Sequence, residues 1–174
     1  MDPSSVIILG IDPGTRITGY GLIRLSASGI EPIDYGCIRP PAALPLSQRY
    51  RIIFEAVEQL IHKFQPQAMA VETQFVLKNV GSAIKLGMAR GMAVLAAARA
   101  NIEVHEYAPK RAKQAVVGKG SASKQQVQKM IAALLRLPQV PEPEDAADAL
   151  ALAICHANTI KMERTGCTSL SKAY

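Results

Sequence analysis

The stretch VIILGIDPGTRITGYGLI, residues 6–23, decides the fold. An apolar run ends on Asp12, a Pro-Gly-Thr turn follows, and a second apolar run resumes after Thr18. Aliphatic runs on either side of a Gly/Pro-containing turn predict two strands, 6–11 and 19–25, in an antiparallel meander. Residues 32–39 supply a third. Asp12 at the end of the first strand has two readings, a turn-forming aspartate or a carboxylate aimed from the sheet's end into a cleft.

Beyond the Pro-rich link RPPAALP, Ile53, Val57, Leu60, Ile61 and Phe64 recur at helical spacing within residues 46–64. That segment is predicted to be an amphipathic helix. QAMAVE, residues 67–72, reads as a short buried strand ending in Glu72, and residues 82–100 as a long helix rich in Ala and Gly. Residues 103–107 form the last strand candidate. From Pro109 onward only helices are expected: one to about residue 117, one over 124–135 with Ser123 as N-cap, and a final one over 144–158. The order predicts an α/β domain with a mixed five-stranded sheet flanked by helices over residues 1–158, and a flexible tail over 159–174.

A chain of 174 residues, 49% hydrophobic, fits one compact domain. No apolar run approaches the roughly 20 residues of a membrane span, and the N-terminus lacks a signal-peptide pattern, so a cytoplasmic protein is expected. Cys37, Cys155 and Cys167 form no CxxC pair and indicate neither a disulfide framework nor a zinc site. The net charge of +6 is unevenly placed. Between Thr73 and Pro141, eleven Lys or Arg face two acids, a net +9, while the remainder carries nine basic and twelve acidic residues, a net −3. A solvated lysine-rich face and a polyanion-binding face both fit this pattern. On the second reading the basic DNA-contact candidates are Lys78, Lys85, Arg90, Lys110, Arg111, Lys113, Lys119 and Lys124.

Asp12 and Glu72 end two strands, and Asp145 and Asp148 open the last helix, where i and i+3 share a face. Three segments can thus each deliver acid to one place; the competing reading leaves Glu72 exposed and Asp145 complementing the helix dipole. So much negative charge is unfavourable without cations, and oxygen donors favour Mg²⁺, with Mn²⁺ as a substitute. Two such ions, about 3.5–4 Å apart, suit the attacking water and leaving oxygen of phosphodiester hydrolysis.

The blocks GIDPGTRITGYG, AVETQFVLKN, SAIKLGMARG, KQAVVGKGSASK and DAADALALAICH together resemble, in order and spacing, the motifs of the RuvC family of crossover (Holliday) junction endodeoxyribonucleases. The resemblance spans about residues 6–156. It implies a ribonuclease-H-like fold, a homodimer, two Mg²⁺ ions per subunit, paired nicks in four-way junction DNA that leave 5′-phosphate and 3′-hydroxyl ends, and cooperation with the RuvA–RuvB branch-migration complex. Carried over residue by residue, it makes Asp12, Glu72, Asp145 and Asp148 the metal-holding and catalytic acids. It sets Lys113 and Lys124 near the cleaved phosphate as further catalytic residues, and makes Phe75 a DNA-contacting aromatic in the loop after the second acid.

Other readings compete at single motifs. The first block also looks like the phosphate loop of sugar kinases, actin and Hsp70, but a nucleotide-dependent phosphotransferase of that kind needs a second domain. A DNA-binding module with relic acids is a third reading, and the presence of all four carboxylates opposes it. GKGSASK lacks P-loop spacing and reads as a basic turn. His156 shares a face with Asp148 but lies about 12 Å along the helix, which favours a packed histidine over a ligand. Ala83, Gly87, Gly91 and Leu95 recur every four residues, a stripe that seats either the sheet or a second copy of the chain.

Overall fold

The computed structural model describes residues 5–73 and 79–165. Strands β1 (Val6–Asp12), β2 (Thr18–Ser26) and β3 (Gly29–Ile38) form the expected meander. Helix α1 (Leu46–Phe64) leads to β4 (Ala68–Glu72), and α2 (Val80–Arg99) to β5 (Glu103–Tyr107). Helices α3 (Pro109–Val117), α4 (Lys124–Leu134) and α5 (Glu144–Arg164) complete the chain. The sheet order is β3-β2-β1-β4-β5, with β4 parallel to both β1 and β5. Pro32 cannot donate to a ladder, and it sits in the edge strand β3 where the register against β2 shifts between Leu22 and Ile23.

Alternation along the strands divides the core into two layers. Leu9, Ile11, Leu22, Met69 and Val71 pack beneath α1 and α2. Ile8, Ile23, Leu25, Ala70 and Tyr107 face α3, α4 and α5. Each fully buried Leu or Ile contributes roughly 1.5–3 kcal/mol, so Ile8, Leu9 and Ile11 pin β1, and with it Asp12, at the centre of the sheet.

Two glycines of the opening stretch set how closely α5 lies on that sheet. A Cβ on Gly10 would stand 2.0 Å from the Ala149 carbonyl oxygen, and one on Gly19 would stand 1.9 Å from that of Asp145. No side chain fits at either position, and the first turn of α5 rests directly on the end of β2. Helix α5 is consequently buried around most of its girth from Ala146 to Ala157, with α3 and α4 covering its outer side.

Most helix boundaries follow their local chemistry. Ser123 caps α4 in a reciprocal capping box with Gln126, as its position predicts. Pro109 opens α3, and Gly118 closes it in a left-handed conformation. Two expectations change. Helix α5 continues to Arg164, six residues past the expected end, because Ile160 still packs on the core. Helix α2 is long and apolar enough, by length and composition, to cross a membrane, contrary to the expectation that no run reaches that length. It carries Lys85, Arg90 and Arg99, and it buries Ala89, Ala93, Ala96 and Ala97 in the core layer shared with α1. That alanine face meets the core, so the stripe through Gly87 and Leu95, both exposed, lies on the outer side.

Candidate active site

Parallel pairing sets Ile11 beside Val71, so the next residues, Asp12 and Glu72, stand side by side at one end of adjacent strands. The contact of Gly19 with Asp145, together with the pairing of Gly19 and Asp12, carries the start of α5 to the same place. The turn leaving Asp12 is closed by the buried Thr18, whose hydroxyl donates to the Gly14 carbonyl at 2.8 Å. The Arg49 guanidinium, buried in α1, donates to the Thr15 carbonyl and fastens this turn to the opposite layer.

Electrostatics show how tightly the acids are gathered. The Asp12 carboxyl is pushed up to about 8, first by burial and then by Glu72, Asp148 and Asp145. Burial and Asp148 raise Glu72, opposed by Lys113 and Lys124. Asp148 is raised by burial against the same two lysines, with Asp145 and Glu144 adding to the rise. Asp12 is thus influenced by the other three acids and by Lys124, and Lys113 acts on Glu72 and Asp148, so the expected acids and lysines come together from β1, β4, α3, α4 and α5. Among the described residues, no three His, Cys, Asp or Glu side chains close into a ready coordination shell. An all-oxygen donor set short of counter-charge matches a hard divalent cation.

Lys124, the first residue of α4, lies with Nζ 2.7 Å from Glu144 Oε2, and this bond is the leading cause of its raised pKa. Glu144 was not anticipated from sequence. Its one signal there is its place immediately before Asp145, and the approach of Lys124 from twenty residues earlier is a tertiary event. Cys37, read from sequence as neither a disulfide nor a zinc-site cysteine, is a free thiol near the start of α5. Its thiol, on β3, is pushed up by burial and then by Asp145, with Arg39 and the Ala146 amide acting in the opposite sense.

The other basic candidates scatter. Lys85 is exposed on α2, and Lys110, Arg111 and Lys119 are exposed on α3 and the turn after it. The Arg111 guanidinium stands 5.2 Å from the Tyr107 ring centroid. Arg90, also a DNA-contact candidate, is 22% exposed in its side chain, and its Nη2 lies 2.5 Å from Glu106 Oε1. Phe75 and Lys78 lie outside the described residues. His156 is a packed residue, as its helical distance from Asp148 suggests. It stacks on His105 with ring centroids 3.9 Å apart, and its Nδ1 lies 2.7 Å from the Tyr107 hydroxyl. Burial and then His105 lower it to about 4.

Residues 8–156 match the model of the family described as crossover junction endodeoxyribonuclease RuvC. A relative of that description from Protochlamydia amoebophila is 61% identical over 154 residues, covering 88% of this chain and 92% of the relative. The structure of Thermus thermophilus RuvC in complex with Holliday junction substrate superposes with a TM-score of 0.85 at 34% identity, over 91% of this chain and 96% of that one. The yeast mitochondrial Holliday junction resolvase, at 16% identity and a TM-score of 0.64, shares the fold over 92% of this chain and 82% of its own.

Proposed function

Because the chain belongs to the RuvC family of crossover junction endodeoxyribonucleases, we propose that Asp12, Glu72, Asp145 and Asp148 hold its divalent metal and that Lys113 and Lys124 attend the phosphate being cut. The protein is a metal-dependent nuclease with a ribonuclease-H-like fold that resolves four-way DNA junctions. The observation supporting this assignment of residues is the Asp12 carboxyl, surrounded by three other acids and holding its proton to about 8. Such a cluster is costly without a cation and well matched to one.

In this reading the metal is a pair of Mg²⁺ ions, replaceable by Mn²⁺. When bound, the ions lower the pKa of the attacking water and stabilise the leaving 3′ oxygen. The chain's own contribution is positional. Strand ends β1 and β4 and the first turn of α5 present carboxylates from a rigid sheet. Lys113 and Lys124 offset the negative charge that grows on the non-bridging oxygens as water adds to phosphorus. Loss of the 3′ oxygen leaves a 5′-phosphate and a 3′-hydroxyl. Phe75, three residues after Glu72 in the sequence, stacks on a base opened at the crossover, a contact worth roughly 1–3 kcal/mol. Lys78, Lys85, Lys110, Arg111 and Lys119 meet the backbones of the arms, and Arg90 joins them by exchanging Glu106 for a phosphate.

Two active sites are needed to nick two strands, and a two-fold dimer matches a roughly two-fold junction. The outer face of α2 suits that dimer: Val80, Ile84, Met88 and Leu95 are 65%, 59%, 49% and 48% exposed. Apolar exposure of this kind on one helix marks an interaction surface. The nuclease occupies residues 1–158, with 159–174 as a tail whose first residues prolong α5. It works in the cytoplasm beside the RuvA–RuvB complex.

The test is a set of single amide variants, Asp12→Asn, Glu72→Gln, Asp145→Asn and Asp148→Asn, assayed on a synthetic four-way junction with Mg²⁺. Cleavage falls to background in each while junction binding, driven by Lys and Arg, persists. A variant that nicks at wild-type rate removes that residue from the assignment.

A further inference from the structure

Lys124 occupies an unusual position for a cation beside four clustered carboxylates. Asp12, Glu72, Asp145 and Asp148 all interact with it electrostatically. Yet among the described residues its one ion-pair partner is Glu144, at 2.7 Å. The ammonium is thus held beside the cluster by an acid that is not one of the four.

Both ends of this contact are anchored. Lys124 follows directly on the capping box of Ser123 and Gln126, which fixes the first turn of α4. Glu144 follows Pro143 and is the first residue of α5, so its carboxylate also stands where the helix dipole favours negative charge. A lysine ammonium is a compact charge on a flexible four-carbon stem. Released from Glu144, it would turn toward the highest density of negative charge within reach, the carboxylates that a divalent cation has to occupy.

We propose that Glu144 is a positioning residue which holds the Lys124 ammonium at the rim of the acidic cluster, keeps it from competing with the metal, and hands it to the scissile phosphate when DNA arrives. The side chains of Lys124 and Glu144 are 55% and 52% exposed, so the bond is solvated and weak enough to be exchanged for a phosphate oxygen. This inference rests on the assignment of the four acids to the metal.

The experiment is calorimetric titration of Mn²⁺ into the full chain without DNA, for wild type, Glu144→Gln, Lys124→Met and the double variant. The expected result is a loss of about 3- to 5-fold in Mn²⁺ affinity for Glu144→Gln, the scale of one solvated ion pair, and little or no further loss when the same change is made beside Lys124→Met. Equal losses in both backgrounds would mean that Glu144 acts only through its bare charge, and the inference fails while the metal assignment stands. Mn²⁺ affinity that is unaffected by Asp145→Asn and Asp148→Asn in parallel titrations would overturn the metal assignment itself.

Discussion

Asp12→Asn should stabilise the metal-free protein while abolishing cleavage. The Asp12 carboxyl lies at about 8 in the folded chain against 3.8 for the free group. The folded state therefore keeps a proton that the unfolded chain releases. Stability from this group is fully present below pH 3.8, falls as pH rises toward 8, and is level above that. A shift of about four units at 1.36 kcal/mol each sets an upper bound near 6 kcal/mol. Water entry and side-chain relaxation at a partly solvated cleft reduce this to about 2 kcal/mol. For a chain of this length, each kcal/mol moves Tm by roughly 2–4 °C, so the variant should melt about 4–8 °C above wild type at pH 8.5 in EDTA. At pH 4 the two should nearly coincide. Saturating Mn²⁺ should restore the wild type and leave the variant almost unchanged, since the cation supplies what the amide supplies. Melting curves followed by circular dichroism at pH 4, 7 and 8.5, with EDTA or Mn²⁺, test all of these points. A variant that melts at or below the wild type at pH 8.5 in EDTA refutes the reasoning, because Asp12 would then not carry uncompensated charge.

Three other outcomes follow from separate parts of the fold. Gly91→Glu, on the outer side of α2 where an added Cβ meets nothing within 4 Å, should leave the melting temperature unchanged and convert the proposed dimer to monomer in sedimentation; a variant that sediments as the wild type does places the interface elsewhere. Gly19→Ala forces a methyl group against the Asp145 carbonyl and should cost about 1–3 kcal/mol or more together with most cleavage activity, measured by denaturant unfolding and junction nicking. His156, lowered to about 4 from 6.5, gives full stability above pH 6.5 and loses it as pH falls toward 4, about 3 kcal/mol in all. Because the Asp12 contribution runs the other way and is common to both proteins, the loss is read as the change, between pH 7 and pH 4.5, in the stability difference between wild type and His156→Gln.

The element pattern was largely legible in the residues themselves. Strand and helix periods, the Ser123 cap and the Gly118 stop are local, because each depends on neighbours within about one turn of chain. The five motif blocks carried the family, and four acids in three segments already implied a shared site. What the sequence by itself left open is what depends on contacts between distant segments. Gly10 and Gly19 read as turn or strand residues until α5 lies on them and leaves no space for a side chain. The stripe on α2 admitted two partners, and only the burial of Ala89, Ala93, Ala96 and Ala97 on the other side turned it outward. The pairing of Arg90 with Glu106 is not visible in the sequence, because only the packing of α2 beside β5 brings the two together. Glu144 stood unremarked beside Asp145 until α4 delivered Lys124. Periodicity and capping report each residue's local geometry, whereas the charge balance of a site is a sum over groups that only the packed sheet and helices bring within a few ångströms of one another.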